Sequence, residues 1–282
     1  MTTEFNWKTD DNLTIYAKDW AVAFPKAVFV LAHGMGEHIN RYNHVADFLN
    51  SRNIAMIGND HRGHGKSGGK RGHFRKYEDY LNETETLIAE AEKRYPNVPL
   101  VLYGHSKGGN IVLNYLLRRN PKNVRAAIVT GPWIELAFKP SSFMVFLGKM
   151  MRNIAPSFTQ SSGLPATSVS SNPAVAAAYE TDNLVHDKIT AEGGMGMMDA
   201  GKWLADYSGA TPCPLLIMHG GGDIVTSQPA SKRFAEQLSG DVTYKVFDGF
   251  YHEIHNELEQ QQVFDYFYAW TQEKLEIQTL SN

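Results

Sequence analysis

The sequence is poor in cysteine. Its 282 residues include one, Cys213, which stands between two prolines. The chain therefore cannot form a disulfide with itself, which suits a reducing compartment. We expect Cys213 to be a small buried hydrophobic residue.

Excess charge and long apolar runs are also lacking. The formal net charge is −3, so the chain lacks the basic surplus with which proteins bind nucleic acid. No run approaches the ~18 apolar residues that a membrane span needs. Residues 1–12 are polar and lack the basic and apolar regions of a signal peptide. We therefore predict a cytoplasmic protein with no nucleic-acid partner.

What the sequence does contain is an alternation of strand and helix patterns. Short apolar runs typical of buried strands are followed by amphipathic helical stretches. The runs are 28–31, 54–57, 100–103, 124–129, 215–218 and 242–247. Such alternation predicts an α/β fold with a mostly parallel sheet that helices cover on both faces.

The alternation stops between residues 133 and 207, where the patterns are helical or rich in Ser, Pro and Gly. We therefore predict a fold core in two parts, 1–132 and 208–282, with a helical cap inserted at 133–207. One helix of the cap has an apolar face at Phe143, Phe146, Leu147, Met150, Met151 and Ile154.

A sharp turn joins the strand at 100–103 to the helix that follows it. Gly104-His105-Ser106-Lys107-Gly108 has the Gly-x-Ser-x-Gly pattern of a nucleophile elbow. The glycines are needed because side chains there would collide with the strand and the helix. Residues 65–69 match the same pattern around Ser67, but no strand leads into them and no helix follows. We interpret Ser67 as a loop residue and Ser106 as the nucleophile.

A serine nucleophile needs a base, and the base needs an acid to orient it. In this architecture the order along the chain is Ser, acid, His. Asp223 follows a late strand, and His252 follows the next one. Asp248 precedes a glycine and is more typical of a turn. His255 lies where a helix starts, so we favour His252 over it as the base.

The oxyanion of such a reaction needs backbone N–H donors. One donor is expected from Lys107, directly after the nucleophile. The other is expected from Met35, in the loop His33-Gly34-Met35-Gly36 that follows an early strand. The charged side chain of Lys107 need not take part.

Metal chemistry is not predicted. His252-Glu253-Ile254-His255 is one residue short of the zinc-protease spacing. The histidines of 60–73 have no second set of ligands in register. We predict neither a metal nor another cofactor.

The motifs, taken in order, resemble the monoacylglycerol lipase family of α/β-hydrolases, a group often described as lysophospholipases or serine aminopeptidase (S33)-like hydrolases. The matching segments are 33–38, 60–67, 104–109, Asp223 and 251–257. The resemblance implies an α/β-hydrolase fold, a triad of Ser106, Asp223 and His252, and oxyanion donors at Met35 and Lys107. The family often has Met or Gln at the position of Lys107, so the resemblance extends there to the amide alone.

The resemblance and the apolar cap predict a lipid-like ester substrate. The function we expect is hydrolysis of monoacylglycerol to fatty acid and glycerol through an acyl-enzyme on Ser106. The alternatives are a lysophospholipase, a broad carboxylesterase, an aminopeptidase or a non-catalytic ligand-binding protein. The apolar face of 143–154 is either core or a lid that touches a membrane surface, with Lys139, Lys149 and Arg152 near anionic head groups. Chain length, head group and oligomeric state stay open.

Overall fold

The computed structural model describes residues 2–277, which form ten strands and eight α-helices. Residues 1 and 278–282, which the sequence analysis assigns to the core, lie outside the described residues. The strands are β1 (Thr2–Lys8), β2 (Thr14–Trp20), β3 (Val28–Ala32), β4 (Ala55–Asn59), β5 (Leu100–His105), β6 (Val124–Thr130), β7 (Thr159–Ser161), β8 (Lys188–Thr190), β9 (Leu215–Gly220) and β10 (Val242–Phe247). The helices are α1 (Asn43–Asn50), α2 (Glu78–Arg94), α3 (Lys107–Arg119), α4 (Ser142–Ile154), α5 (Pro173–Thr181), α6 (Ala191–Asp206), α7 (Gln228–Gln237) and α8 (Gln261–Leu275).

Eight of these strands form one sheet in the order β1-β2-β4-β3-β5-β6-β9-β10. Six strands, β4, β3, β5, β6, β9 and β10, run parallel to one another. Strands β1 and β2 form an antiparallel edge beside β4. The prediction of a mostly parallel sheet is confirmed. Strand β1 was not predicted, because the outer face of this edge hairpin is solvated and its sequence is polar.

Helices cover both faces of the sheet, as predicted. Successive strand residues point to opposite faces, so Val28 and Val30 pack with α2 and α3 while Phe29 and Leu31 pack with α1 and α8. Each fully buried side chain of this size stabilises the fold by about 1.5–3 kcal/mol. Burial on both faces is the reason that these strands are continuously apolar. Cys213, expected to be buried, is half-buried and packs on the side of the sheet that α2 and α3 cover.

The carboxyl ends of the parallel strands meet at one edge of the sheet. The loop after β3 begins at His33, the turn after β5 holds Ser106, and the loops after β9 and β10 carry Asp223 and His252. Ligand sites of open α/β sheets lie at this edge. The topology therefore brings together residues that are up to 219 positions apart in the chain, counting from His33 to His252.

The segment 133–207 lies between β6 and β9 and contains α4, α5 and α6. It also contains a short antiparallel ladder that the sequence analysis missed, in which β7 pairs with β8 from Thr159↔Thr190 to Ser161↔Lys188. Three-residue strands are too short to give a sequence pattern. The division of the chain at 133 and 207 stays a prediction.

The interpretation of the α4 face as core is wrong. No residue of α4 is buried. Phe143, Phe146, Met150 and Ile154 are 70%, 64%, 40% and 71% exposed, and we call this row the outer stripe. No helix in the described part of the chain combines the length and the apolar character needed to span a membrane.

Candidate active site

Ser106 sits on a strained turn between β5 and α3. Its backbone has φ 55° and ψ −116°, a left-handed conformation that costs a residue with a side chain about 1–3 kcal/mol. The flanking glycines make the turn possible. A Cβ on Gly104 would lie 2.6 Å from the carbonyl oxygen of Gly108, and one on Gly108 would overlap the carbonyl of Ala32.

Met35 and Ser106 border the same two cavities. Lys107 is the first residue of α3, and the first N–H groups of a helix have no partner within it. Both amides that were predicted as oxyanion donors therefore belong to the surroundings of Ser106. The dipole of α3 also favours negative charge at this end.

The loop that carries Met35 is fixed by a carboxylate that the sequence analysis did not assign. Glu37 Oε1 accepts from the backbone N–H of Gly34 at 2.5 Å and from the Tyr42 hydroxyl at 2.7 Å. The ring of His33 accepts from the backbone N–H of His61 at 2.9 Å. The loop conformation is thus set by side chains at both of its ends, which bond to the loop backbone, to Tyr42 and to His61.

Asp223 and His252, predicted as acid and base, are in contact. His252 Nδ1 lies 2.7 Å from Asp223 Oδ2. The other carboxylate oxygen, Oδ1, accepts from the N–H groups of Val225 and Thr226 at 2.7 and 3.1 Å. Because an ionised carboxylate only accepts, Nδ1 carries the proton and Nε2 of His252 is left as the basic atom.

The two partners shift each other's pKa. Burial alone would lower the pKa of His252, but the charge and hydrogen bond of Asp223 raise it above 6.5. Burial would raise the pKa of Asp223, but the nearby imidazoles, His252 first, hold it well below its usual range. Asp223 is therefore ionised over the whole neutral range.

Asp223 has a second imidazole partner that the sequence analysis passed over. His219 Nε2 lies 3.0 Å from the same Oδ2 atom, and His219 Nδ1 lies 3.0 Å from the Ser231 hydroxyl. No local pattern marks His219, because its bonds depend on how β9 and α7 pack together.

His105, predicted as part of the elbow motif, lies beside the triad, whereas His255 and Asp248, which were not chosen as base and acid, do not contact Asp223 or His252 by hydrogen bonds. The His105 ring is centred 4.7 Å from that of His252, and its Nδ1 lies 2.9 Å from Thr130 Oγ1. His255 stacks on Tyr42 instead of facing Asp223, and Asp248 is exposed.

Ser67 lies in a loop, as interpreted. Its hydroxyl donates to the carbonyl of Asp60 at 2.5 Å and accepts from the N–H of Tyr16 at 2.9 Å. The second match to the elbow pattern thus joins a loop to the edge of the sheet.

Two cavities meet at Ser106. The large cavity has a volume of about 400 Å³, and the small one about 60 Å³. Side chains on the wall of the large cavity are mostly apolar and include Trp133, Leu136, Met144, Val145, Met195 and Met198. The small cavity is bordered by apolar residues such as Met35, Leu164 and Val169 and also by polar ones, which include Glu37, Tyr179, His186, Asp187, His252 and Glu253.

Residues 2–277 contain no group of three or more His, Cys, Asp or Glu side chains placed to hold a metal ion.

Comparison with known proteins gives a family match and similar structures. The sequence model described as "Serine aminopeptidase, S33" matches residues 23–259. A monoacylglycerol lipase of Mycolicibacterium smegmatis is 36% identical over 248 residues, covering 87% of this chain and 88% of that protein. The crystal structure of Paleococcus ferrophilus monoacylglycerol lipase is 30% identical, with a TM-score of 0.83 over 97% of this chain and 99% of that one.

A further relative is much longer than this chain. An uncharacterized abhydrolase domain-containing protein of Dictyostelium discoideum is 33% identical over 274 residues, which are 96% of this chain and 29% of that protein. The sequence similarity thus covers less than a third of it.

Asp223→Asn should lower the pKa of His252. The amide carries no charge, so burial of the imidazole is no longer opposed by a negative neighbour. We expect the pKa to fall from above 6.5 to below it, measured by ¹⁵N NMR titration of the imidazole. The same titration of His44, which bonds to the carbonyl of His255, is the internal control. A pKa for His252 that stays above 6.5 in the variant would contradict the assignment.

Proposed function

The chain belongs to the serine aminopeptidase S33 family, and we propose that it hydrolyses monoacylglycerols to a fatty acid and glycerol. The predictions of the family, of the α/β-hydrolase fold and of a carboxylic ester hydrolase are confirmed by its relatives. The substrate and the roles of individual residues belong to the proposal, which the 36% identical monoacylglycerol lipase supports.

The observation that carries the proposal is the pair of unequal cavities at Ser106. An ester of a fatty acid with a small alcohol has one long apolar part and one compact polar part, joined at the reacting carbonyl. The large apolar cavity fits the acyl chain, and the small cavity, whose border carries carboxylate, imidazole and hydroxyl groups beside apolar residues, fits the alcohol. The ester carbonyl, placed at Ser106, then lies between the cavity for the acyl chain and the cavity for the alcohol.

The charges around the small cavity favour a neutral alcohol. The described residues that border it include carboxylates and imidazoles but neither lysine nor arginine. Glu37 and Glu253 are both held by Arg41, each at 2.7 Å. A phosphate group needs charge-assisted donors, so the head group of a lysophospholipid would be bound poorly. The hydroxyl groups of glycerol can donate hydrogen bonds to the carboxylates and imidazoles that border the cavity.

In the proposed reaction, Ser106 Oγ attacks the ester carbonyl while His252 Nε2 takes its proton. The N–H groups of Met35 and Lys107 stabilise the oxyanion. His252 then protonates the leaving glycerol oxygen, and Asp223 keeps the imidazole oriented and stabilises its positive charge. A water molecule, activated by His252, hydrolyses the acyl-enzyme and releases the fatty acid.

The segment 133–207 acts as the cap in this proposal. Most residues that border the large cavity come from it, and they include α4, the β7–β8 ladder and α6. Such a cover excludes water from the acyl chain and from the acyl-enzyme. This arrangement supports the predicted division of the chain into two core parts and an insert.

Ser106→Ala and Ser67→Ala form a matched test of the nucleophile. Ser106→Ala should lower kcat/KM for a p-nitrophenyl ester by at least about 10³-fold and abolish labelling by a fluorophosphonate probe. Ser67→Ala should keep full labelling per folded molecule. It should lose about 1–3 kcal/mol of unfolding free energy, because the Tyr16 N–H loses its partner and the Asp60 carbonyl loses one of two donors. Activity retained by Ser106→Ala would refute the mechanism.

A turnover panel tests the substrate. We expect kcat/KM for a long-chain monoacylglycerol to exceed that for the lysophosphatidylcholine of the same acyl chain by at least roughly tenfold, about 1.4 kcal/mol. An aminoacyl p-nitroanilide, measured in parallel, should be turned over more slowly still. A preference for the phospholipid would make the chain a lysophospholipase, and a preference for the anilide an aminopeptidase.

We also propose that the outer stripe contacts a lipid surface. Its apolar residues lie on the cap with Lys139 and Lys149 exposed nearby, an arrangement suited to anionic lipid. Arg152, which was expected beside the head groups, is instead bonded to Glu192 at 2.7 Å and to Asp199 at 2.5 Å. Contact through α4 would place the large cavity near its substrate.

Replacing Phe143 and Phe146 by Ser should weaken binding to phosphatidylcholine–phosphatidylglycerol vesicles by at least about tenfold. The reason is that the variant lacks two rings that the vesicle surface would otherwise bury. Cosedimentation measures the binding, and turnover of a water-soluble short ester should stay unchanged because neither residue borders the two cavities at Ser106. Phe24→Ser is the control, since Phe24 is 93% exposed outside the cap. Equal binding by both variants would contradict the proposal.

A further inference from the structure

Two imidazoles face one oxygen atom of Asp223. Oδ2 lies 2.7 Å from His252 Nδ1 and 3.0 Å from His219 Nε2. His219 and the Asp223 side chain are fully buried, and His252 is nearly so. His219 borders neither cavity at Ser106, so it contacts the acid without reaching the substrate.

The hydrogen-bond partners determine which nitrogen of His219 carries a proton. Because Asp223 is ionised, Nε2 must donate to it, and Nε2 also lies 3.2 Å from the carbonyl of Thr226. On the other side, Nδ1 lies 3.0 Å from the hydroxyl of Ser231, which is fully buried. The contact with Ser231 holds Nδ1, so Nε2 is the nitrogen directed at Asp223.

We propose that His219 is a positioning residue for the acid of the triad. Its Nε2–H holds Oδ2 in the direction of His252 and withdraws part of the negative charge that His252 would otherwise feel. Ser231 anchors the ring from α7. This inference rests on the proposed function, because it gives His219 a role only through Asp223 and His252.

The surroundings of His252 determine the direction of the expected effect. Asp223 is its direct ionic partner, the His105 ring is 4.7 Å away, and Glu253, Glu37 and His255 are the other titratable groups that act on it or on His105. Of these groups only Asp223 is hydrogen-bonded to His219, so it is the one through which a replacement of His219 acts. Without the Nε2–H donor, Asp223 presents more negative charge to His252, so the pKa of His252 should rise.

The experiment is a pH profile of kcat/KM for a p-nitrophenyl ester in His219→Leu, His219→Gln and the unchanged protein, normalised by fluorophosphonate titration of active serine. The profile falls on the acid side because protonated His252 cannot act as the base. In His219→Leu this limb should move to higher pH by at least about 0.5 unit. At the plateau kcat should fall about tenfold with little change in KM, because Asp223 loses one hydrogen bond.

His219→Gln should restore the normal limb, since its amide nitrogen can reach the position of Nε2 and donate to Asp223. His219→Asn has a shorter side chain that keeps the bond to Ser231 and loses the one to Asp223. The asparagine variant should behave like the leucine variant. It replaces the leucine variant in the experiment if His219→Leu does not fold. His44→Leu removes another imidazole that does not contact Asp223, and should leave the limb in place.

A limb that does not move in the leucine and asparagine variants overturns the inference, and so does a limb that moves equally in the glutamine variant. These outcomes are separate from failure of the proposed function, which would appear as activity retained by Ser106→Ala. A purely structural role for His219 would lower the amount of titratable serine without moving the limb.

Discussion

The site depends on one strained residue. Ser106 is held at φ 55° because its backbone is fixed on both sides: its N–H donates to the carbonyl of Thr130 at 2.9 Å, and its carbonyl accepts from the N–H of Trp133 at 3.0 Å. Strain of about 1–3 kcal/mol persists only where the surroundings leave no alternative. Here β5, β6 and α3 supply that constraint, so the rigid sheet sets the position from which the serine side chain projects.

Much of this site could be predicted from the sequence because its signals are local. The strand, turn and helix around Ser106 are contiguous, and Asp223 and His252 each follow a strand, so the parallel topology brings them to one edge. His219 and Glu37 could not be assigned in this way. Their roles depend on Ser231 and Tyr42, which come from other elements. The exposure of Phe143 could not be predicted either, because an amphipathic pattern shows that a helix has an apolar face but not what covers it.

A buried charge network links the two loops that flank the serine. Arg41 donates to Glu37, which holds the backbone of Gly34, and through both of its terminal nitrogens to Glu253, the neighbour of His252. Removing one partner of a buried ion pair costs about 3–5 kcal/mol. The loop that carries Met35 and the loop that carries His252 are therefore coupled, and neither can shift without disturbing Arg41.

The side chain of Lys107 is also buried, and its amine is held by a histidine. Its Nζ is fully buried and lies 3.1 Å from His64 Nε2. His64 Nδ1 is 2.9 Å from the carbonyl of Arg62, so it carries the proton and Nε2 accepts from the amine. Burial lowers the pKa of Lys107 well below its usual range, and the positive end of α3 acts in the same direction. Because the side chain of Lys107 is directed into the core, its backbone N–H is the group that the proposed mechanism assigns to an oxyanion at Ser106.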